Sequence, residues 1–541
     1  MKTIIAGALG ECVHVAGVYN FLRLAEQYGW KTVFLGPAVP TEQFLQAARD
    51  EKADLVAVSY RLTPETGERL LAEFAEAADD LHSQGVQFIF GGTPPVAEKA
   101  AKLGFFQAVF DGTQTREEII TFLRGDERTK SGSPIYPQAT IERILWKKPF
   151  PLLRHHFGQP SMNASVEGIK QIAEARALDV ISLGVDQDAQ ENFFHPGKQN
   201  PRSTGAGGVP VRSPDDYSRL YCASRRGNFP LMRTYSGTND FIRLAEMYRE
   251  TIHICWAAVP LFWFNQMDGR GPYDLEGSIR EHQKLIRWYS EHEVPVELNE
   301  PHHWGMRDAP DVIFVVAAYL SAYTARAYGA QDYIAQMMFN SPPGTSDAMD
   351  LAKMAACLEI CAPLENKHFH IWRQTRTGLL SYPLEDNAAR AHLAASIYVQ
   401  MALKPDIIHI VGHTEAHHAA SAADVIAASQ MAQRSIENAL RGQPELLSDP
   451  AIQHRKEHLI KEANITLQAI RNLNQDATLD PLGDAGVLAQ AVKEGILDAP
   501  HLRNNAFAKG EIKTTILNGA CDVIDESGNP LSEEERLARY L

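Results

Sequence analysis

The sequence predicts an α/β chain in two parts, a doubly wound parallel sheet followed by a (β/α)8 barrel, and three observations carry the prediction. Up to about residue 125, short apolar runs alternate with amphipathic runs of helical period. From Asp126 to Pro151, a stretch holding Gly132, Pro134 and Pro137, periodicity fades and the chain reads as a linker. Beyond it, apolar β-rich runs recur with helical patterns between them, the signature of a barrel. The predicted boundaries are therefore 1–125 for the first domain, 126–151 for the linker and 152–541 for the barrel with a C-terminal extension.

In the first domain, Thr3 to Leu9 reads as a buried strand and Val18 to Tyr28, closed by Gly29, as the helix after it. Strands follow at Thr32 to Leu35, Leu55 to Val58, Phe88 to Phe90 and Ala108 to Phe110, with helices between. Ligands of open α/β sheets bind at the carboxyl ends of the strands. That edge carries His14 after the first strand, Ser59 after the third and the pair Gly91-Gly92 after the fourth. Neutral imidazole is a common metal ligand, although a single loop histidine is more often merely solvated.

Seven barrel strands are predicted, at Asp179 to Val185, Pro230 to Arg233, Ile252 to Trp256, Val294 to Glu300, Tyr333 to Phe339, Phe369 to Trp372 and Ile407 to Val411. The eighth is not evident. Barrel chemistry collects at the carboxyl ends of strands. The sequence puts polar residues there: Asp186, Gln187 and Asp188; Arg233; Glu300, His302 and His303; His370, Trp372 and Arg373; His413 and Glu415. His413, His417 and His418 also make a candidate metal segment, since histidines four apart share a helix face.

The chain has 541 residues, 45% of them hydrophobic, and a formal charge of -15. An acidic balance without a basic patch argues against nucleic acid. No apolar run reaches the length of a membrane span, and no signal peptide is read at the start. Cys12, Cys222, Cys255, Cys357, Cys361 and Cys521 form no C-x-x-C pair, which reads as reduced thiols in a cytoplasm.

Residues 1 to about 125 resemble the cobalamin-binding domain of mutases and methionine synthase, a flavodoxin-like fold. That family carries Asp-x-His-x-x-Gly, then Ser-x-Leu, then Gly-Gly, and here the matches are His14 and Gly17, Ser59, and Gly91 with Gly92. Cys12 stands where the family has aspartate, and Arg61 where it has leucine. The resemblance implies that His14 ligates cobalt, and that Cys12, Val13, Gly17, Ser59, Tyr60, Arg61, Gly91, Gly92 and Thr93 line the cofactor site. Cys12 is a weaker acceptor than a carboxylate and should hold the imidazole less firmly.

The second part is similar to the epsilon subunit of glutamate mutase (methylaspartate mutase), a TIM barrel. The matching pieces are Leu275-Glu-Gly-Ser-Ile-Arg280, Asn299-Glu-Pro301, Phe369-His-Ile-Trp372, His413-Thr-Glu415-Ala416 and Ala491-Val-Lys-Glu-Gly-Ile-Leu-Asp-Ala-Pro500. The resemblance implies adenosylcobalamin as cofactor, a small-molecule substrate and a homodimer through the barrel. It also implies Glu415 on the adenosyl ribose, Glu300 near the cofactor, Arg233 on a substrate anion, and His370 in a polar contact with substrate. Of the family's claw of arginines only Arg233 has a counterpart, two substrate-contacting tyrosines are absent from Phe262-Trp-Phe264, and Val411 replaces a ribose-contacting lysine. The expected function is thus a carbon-skeleton isomerase acting on a small carboxylate or amino-acid-like substrate other than glutamate. The alternatives are a corrinoid carrier, sensor or methyl-transfer enzyme, and a barrel that binds a small ligand without cofactor.

Overall fold

The computed structural model describes residues 2–114, 116–125, 135–474 and 480–541, and divides them into two compact units, Met1–Tyr136 and Pro137–Leu541. The first nine residues of the expected linker lie outside the described residues.

The first unit is a five-stranded parallel sheet in the order β2-β1-β3-β4-β5, with β1 at Thr3–Leu9, β2 at Lys31–Val39, β3 at Leu55–Tyr60, β4 at Gln87–Gly92 and β5 at Ala108–Phe110. Both β1 and β3 are buried along their whole length, which is why they read as continuous apolar runs rather than alternating ones. Successive side chains enter opposite layers. Ile5, Val56 and Phe88 pack with Phe44 and Phe74 on one face, while Ile4, Ala6, Leu55 and Ile89 pack with Val18 and Leu22 on the other. The strand order reverses between β1 and β3, so the crevice that such sheets offer to ligands opens beside the loop after β1.

The second unit holds eight parallel strands: β6 at Leu152–Phe157, β7 at Val180–Leu183, β8 at Leu231–Arg233, β9 at Ala257–Val259, β10 at Val296–Leu298, β11 at Asp332–Phe339, β12 at His370–Thr377 and β13 at Ile407–His409. Their order, β8-β7-β6-β13-β12-β11-β10-β9, is that of a TIM barrel. The ends of the series, β8 and β9, are joined by the Cys255 amide, which donates to the Met232 carbonyl at 2.9 Å. The strand missing from the sequence prediction is β6, Leu-Leu-Arg-His-His-Phe, whose polar members disguise it, and the strand expected at Ile252 to Trp256 lies instead at Ala257–Val259, because Ile252 caps the preceding helix.

Inside the barrel, the amino-terminal layer is apolar: Leu152, Val180, Leu231, Trp256, Ile334, Trp372 and Ile407 form one cluster. Helix Thr140–Lys147 packs Ile141 and Ile144 into this cluster, and Thr140 Oγ1 donates to the Cys255 carbonyl at 2.5 Å. The later part of the expected linker is therefore a plug for the barrel floor. Its short amphipathic run lay among glycines and prolines and gave little periodic signal. At the far end of the chain, the hairpin of β14 (Thr514–Leu517) and β15 (Ala520–Val523) is anchored through Asp311, which accepts from Lys353 at 3.0 Å, Arg455 at 2.9 Å and the Cys521 amide at 3.2 Å. No helix among the described residues is long and apolar enough to cross a membrane.

Candidate functional site

At the carboxyl edge of the first unit, the loop after β1 is pinned by its backbone. Gly10 adopts φ +62°, a conformation glycine takes at no steric cost, and its amide donates to the Val39 carbonyl at 2.9 Å. The Cys12 carbonyl in turn accepts from the Ala38 amide at 2.9 Å. Cys12 thus faces the core with no exposed area, while Val13 and His14 stand in solvent, Val13 at 61%. The Cys12 Sγ lies 3.9 Å from His14 Nδ1. This thiol occupies the position from which an acceptor orients an imidazole, and it does so loosely.

Ladder register sets Ala8 beside Ser59 and Ser59 beside Gly91, so the three strand ends form one edge. A methyl at Gly17 or Gly91 would meet nothing within 4 Å, whereas one at Gly92 would strike the Tyr60 carbonyl at 2.6 Å. Gly91 and Gly17 leave the backbone open to an approaching group, and Gly92 serves packing. Arg61 is exposed and Thr93 half-buried at this edge. Tyr60, expected to line the cofactor site, has its ring in the core, 1% exposed and against Gly67. It falls on the inner face of β3 because alternate residues of a strand point to opposite sides.

In the barrel, the layer above the apolar floor is polar and shared among strands. Arg154 on β6 donates through Nη1 to Glu297 at 3.1 Å and to Gln374 at 2.8 Å, and through Nε to Ser182 at 2.7 Å. Glu297 also accepts from Trp256 Nε1 at 2.6 Å, and Gln374 donates to Gln336. Burial works against ionisation of Glu297, but Arg154 and Arg233 outweigh it and hold the carboxyl below its usual range. Burial, and next the charge of Arg233, push the Arg154 guanidinium down to about 9, which leaves it charged at neutral pH.

Arg233 is 1% exposed and lies over the Trp256 ring, 5.3 Å from its centroid. Its nearest anion is Glu297, at 3.7 Å, and none of its three guanidinium nitrogens has a hydrogen-bond partner. Arg376, further along β12, is 5% exposed with its Nε also unpartnered, and burial lowers its pKa. The sequence reading counted one arginine for an anion. The structure brings Arg154 and Arg376 into the same lumen, because β6 and β12 turn alternate residues inward. An Arg-x-His on β6 and a Gln-x-Arg on β12 were the available signals.

Toward the mouth, His156 stacks on Tyr235 at 5.3 Å and lies 4.9 Å from His409, and His302 stacks on His303 at 4.3 Å. Burial first, and then neighbouring charges, mainly those of arginines, hold all four imidazoles well below their ordinary pKa, so they are neutral. Glu415 follows β13 and is exposed, yet partial desolvation raises its carboxyl pKa against the pull of Arg376. A cavity of about 460 Å³ opens here, lined by His156, Gly158, Gly184, Gly412, Glu415 and His418.

Other expected residues are placed differently. His370 starts β12 opposite Asp332, at the amino end of the barrel, where it is exposed and 3.4 Å from Glu365; Trp372 belongs to the apolar floor. The strand runs on to Thr377, so the carboxyl end bears Arg376 instead. Glu300 has no exposed area: Oε1 accepts from the Phe262 amide at 3.1 Å, Oε2 has no partner, and burial raises its pKa to about 8. It props the loop after β9 rather than facing a cofactor. Asp186 is taken up by Arg212, at 2.6 and 2.8 Å, and by the Gly205 amide. Among the described residues no three histidine, cysteine or carboxylate side chains converge as a metal site, so His413, His417 and His418 do not form one.

A family model of the B12-binding domain matches residues 2–120. Among solved structures, a novel cobalamin-binding protein from Desulfitobacterium hafniense DCB-2 is 19% identical with a TM-score of 0.20; the match covers 23% of this chain and 58% of that one, so the chain spans little more than half of that protein's length. A truncated 3-deoxy-D-arabino-heptulosonate 7-phosphate synthase from Thermotoga maritima is 12% identical with a TM-score of 0.30, over 54% of this chain and 88% of that one. A glycoside hydrolase-type enzyme targeting pectin rhamnogalacturonan II is 8% identical with a TM-score of 0.33, over 86% of this chain and 56% of that one. At these scores the three structures carry no argument about chemistry.

Proposed function

We propose that the protein is an adenosylcobalamin-dependent carbon-skeleton isomerase acting on a small carboxylate. The observation that carries the reading is one chain joining a B12-binding domain to a barrel whose lumen holds a buried guanidinium, Arg233, without a hydrogen-bond partner. Buried donors are normally paired, and an orphan in a lumen marks the place of a ligand.

The residues of the first unit suit a corrinoid. His14 is an exposed imidazole whose neighbour is a weakly bonding thiol, the backbone at Gly17 and Gly91 is open, and Val13 and Leu62 (38% exposed) add apolar surface at the same edge. His14 would ligate cobalt, and Ser59 and Gly91 would hold the nucleotide tail. Adenosylcobalamin, when bound, supplies the carbon radical that abstracts hydrogen from a substrate. The barrel's own residues do the rest. Arg233 and Arg376 would pair with substrate acid groups, Glu415 would accept from the ribose hydroxyls of the cofactor, and the neutral imidazoles would give polar contacts without adding charge.

The runner-up, a corrinoid carrier or methyl-transfer protein, is favoured by one feature, the thiol in place of a carboxylate behind His14. The test is the ultraviolet-visible spectrum of the full-length protein with adenosylcobalamin, followed by deuterium exchange from labelled deoxyadenosyl cofactor into candidate acids. Binding with exchange supports the isomerase, binding without exchange the runner-up, and an unperturbed spectrum removes both.

A further inference from the structure

The loop after β13 forms a wall whose root is sunk in the protein. Every residue from Gly412 to Ala420 except His413 lines the cavity at the barrel mouth. His413 turns the other way, where it is 3% exposed and neither ring nitrogen has a hydrogen-bond partner. Buried polar atoms are normally paired, so an imidazole orphaned at both nitrogens is kept for something other than the bonds it makes in this state. The loop is pinned at its two ends, by the Tyr382 hydroxyl donating to the Val411 carbonyl at 2.6 Å and by Gln159 Nε2 donating to the Ala420 carbonyl at 2.8 Å. Between those pins the Glu415, His417 and His418 amides donate to the Gly412 and Thr414 carbonyls, within the loop itself.

Two carboxylates face the ring. Asp386 Oδ1, at the start of the helix Asp386–Gln400, lies 3.8 Å from His413 Nε2, and Asp424 Oδ1, in the first turn of the helix Ala422–Leu440, lies 3.9 Å from it. Both distances are too long for a hydrogen bond. The other titratable groups facing His413 are Arg390, which holds Asp386 Oδ2 at 2.7 Å, His418 of the loop, whose Nε2 is 3.4 Å from Asp424 Oδ2, and His155 of β6, which burial keeps neutral. A protonated ring in this position would be drawn by both carboxylates and bonded to neither, and a buried charge without hydrogen bonds is costly. Nor can it sink further: Gly412 packs so closely on His155 that a methyl there would strike Nε2 at 2.8 Å. The remaining way is outward, toward Asp386 and Asp424. Burial, and next the charge of Arg390, hold the imidazole below its ordinary range, so protonation opposes the seated loop from about pH 6.5 downward. We propose that His413 is an acid-released latch: neutral, it seats the loop as a wall of the cavity, and protonated, it moves toward Asp386 and Asp424 and carries Glu415, two residues on, away from the mouth. The latch belongs to the barrel unit alone and rests on no reading of cofactor or substrate.

Hydrogen–deuterium exchange of the full-length protein, followed over Val411 to Ala420 at about pH 7.5 and about pH 5.5 and corrected for intrinsic rates, tests it. The expected result is protection lower by about fivefold or more at the acid pH in the native protein, and a difference below about twofold in His413→Asn, which cannot take a proton. Asp386→Asn, which removes a carboxylate 62% exposed, should move the native transition to lower pH. Equal protection of the native protein at both pH values overturns the proposal. So does an acid loss that persists in His413→Asn, which would assign it to Glu415, His417 or His418 at the tip of the loop. Should His413→Asn fail to fold, a transition unmoved in Asp386→Asn overturns the latch by itself.

Discussion

Arg154 and Glu297 meet across the barrel at 3.1 Å, from strands β6 and β10 that face each other over the lumen. The pair ties opposite walls together through charge that is out of reach of water. Removing one partner of a buried pair leaves the other uncompensated, at about 3–5 kcal/mol. Glu297 also faces Arg233, at 3.7 Å. Glu297→Gln is therefore expected to lower unfolding free energy by about 3 kcal/mol or more, measured by urea denaturation.

The same carboxyl sets a pH dependence. Its folded pKa lies below the unfolded value of about 4.3, so its stabilisation is complete above that value and is lost as pH falls through the folded one. Wild type and Glu297→Gln should converge in stability as the solution is acidified below about pH 4. A constant gap down to the acid transition would show that Glu297 acts through packing.

Glu300 has the opposite sign. Burial raises its pKa to about 8, so between roughly 4.3 and 8 the native chain binds more protons than the unfolded one and stability falls as pH rises. Glu300→Gln keeps the shape and the acceptor for the Phe262 amide without a titrating proton. Relative to wild type it should gain about 3–4 kcal/mol between about pH 5 and pH 8. Parallel denaturation profiles for the two proteins would contradict the buried neutral carboxyl.

The glycine pair separates scaffold from site. An added methyl at Gly92 meets the Tyr60 carbonyl at 2.6 Å, so Gly92→Ala should destabilise by about 1–3 kcal/mol. At Gly91 it meets nothing, so Gly91→Ala should leave the melting temperature unchanged and weaken cobalamin in a spectral titration. Equal cobalamin affinity for Gly91→Ala and wild type would remove Gly91 from the cofactor site.

Glu415 gives a cofactor-specific prediction. Hydrogen bonds to a charged acceptor are worth about 1.5–3 kcal/mol. Glu415→Gln is expected to weaken adenosylcobalamin about tenfold or more relative to methylcobalamin, which carries no ribose above the cobalt. Equal weakening of both cofactors would assign Glu415 to the scaffold of the loop after β13.

The sequence alone was enough for the fold class, for the five strands of the first unit and for the edge where His14, Ser59 and Gly91 gather, because buried parallel strands write continuous apolar runs and loops at their ends follow from topology. It was enough for six barrel strands as well, while the run expected at Ile252 to Trp256 stops just short of β9. What only the tertiary structure decided is where polar residues point. β6 escaped notice because Arg154 and His156 turn inward; a strand lining a polar lumen has no apolar face on that side. His370 and Arg376 sit six residues apart on one strand and at opposite ends of the barrel, a distinction set by where β12 starts and invisible to periodicity. Glu300 looked like a functional carboxylate and is sealed under the loop after β9, while Arg233 is enclosed in the lumen without a hydrogen-bond partner. Partners across a barrel come from residues far apart in the chain, as Arg154 and Glu297 do, and only folding brings them within reach of one another.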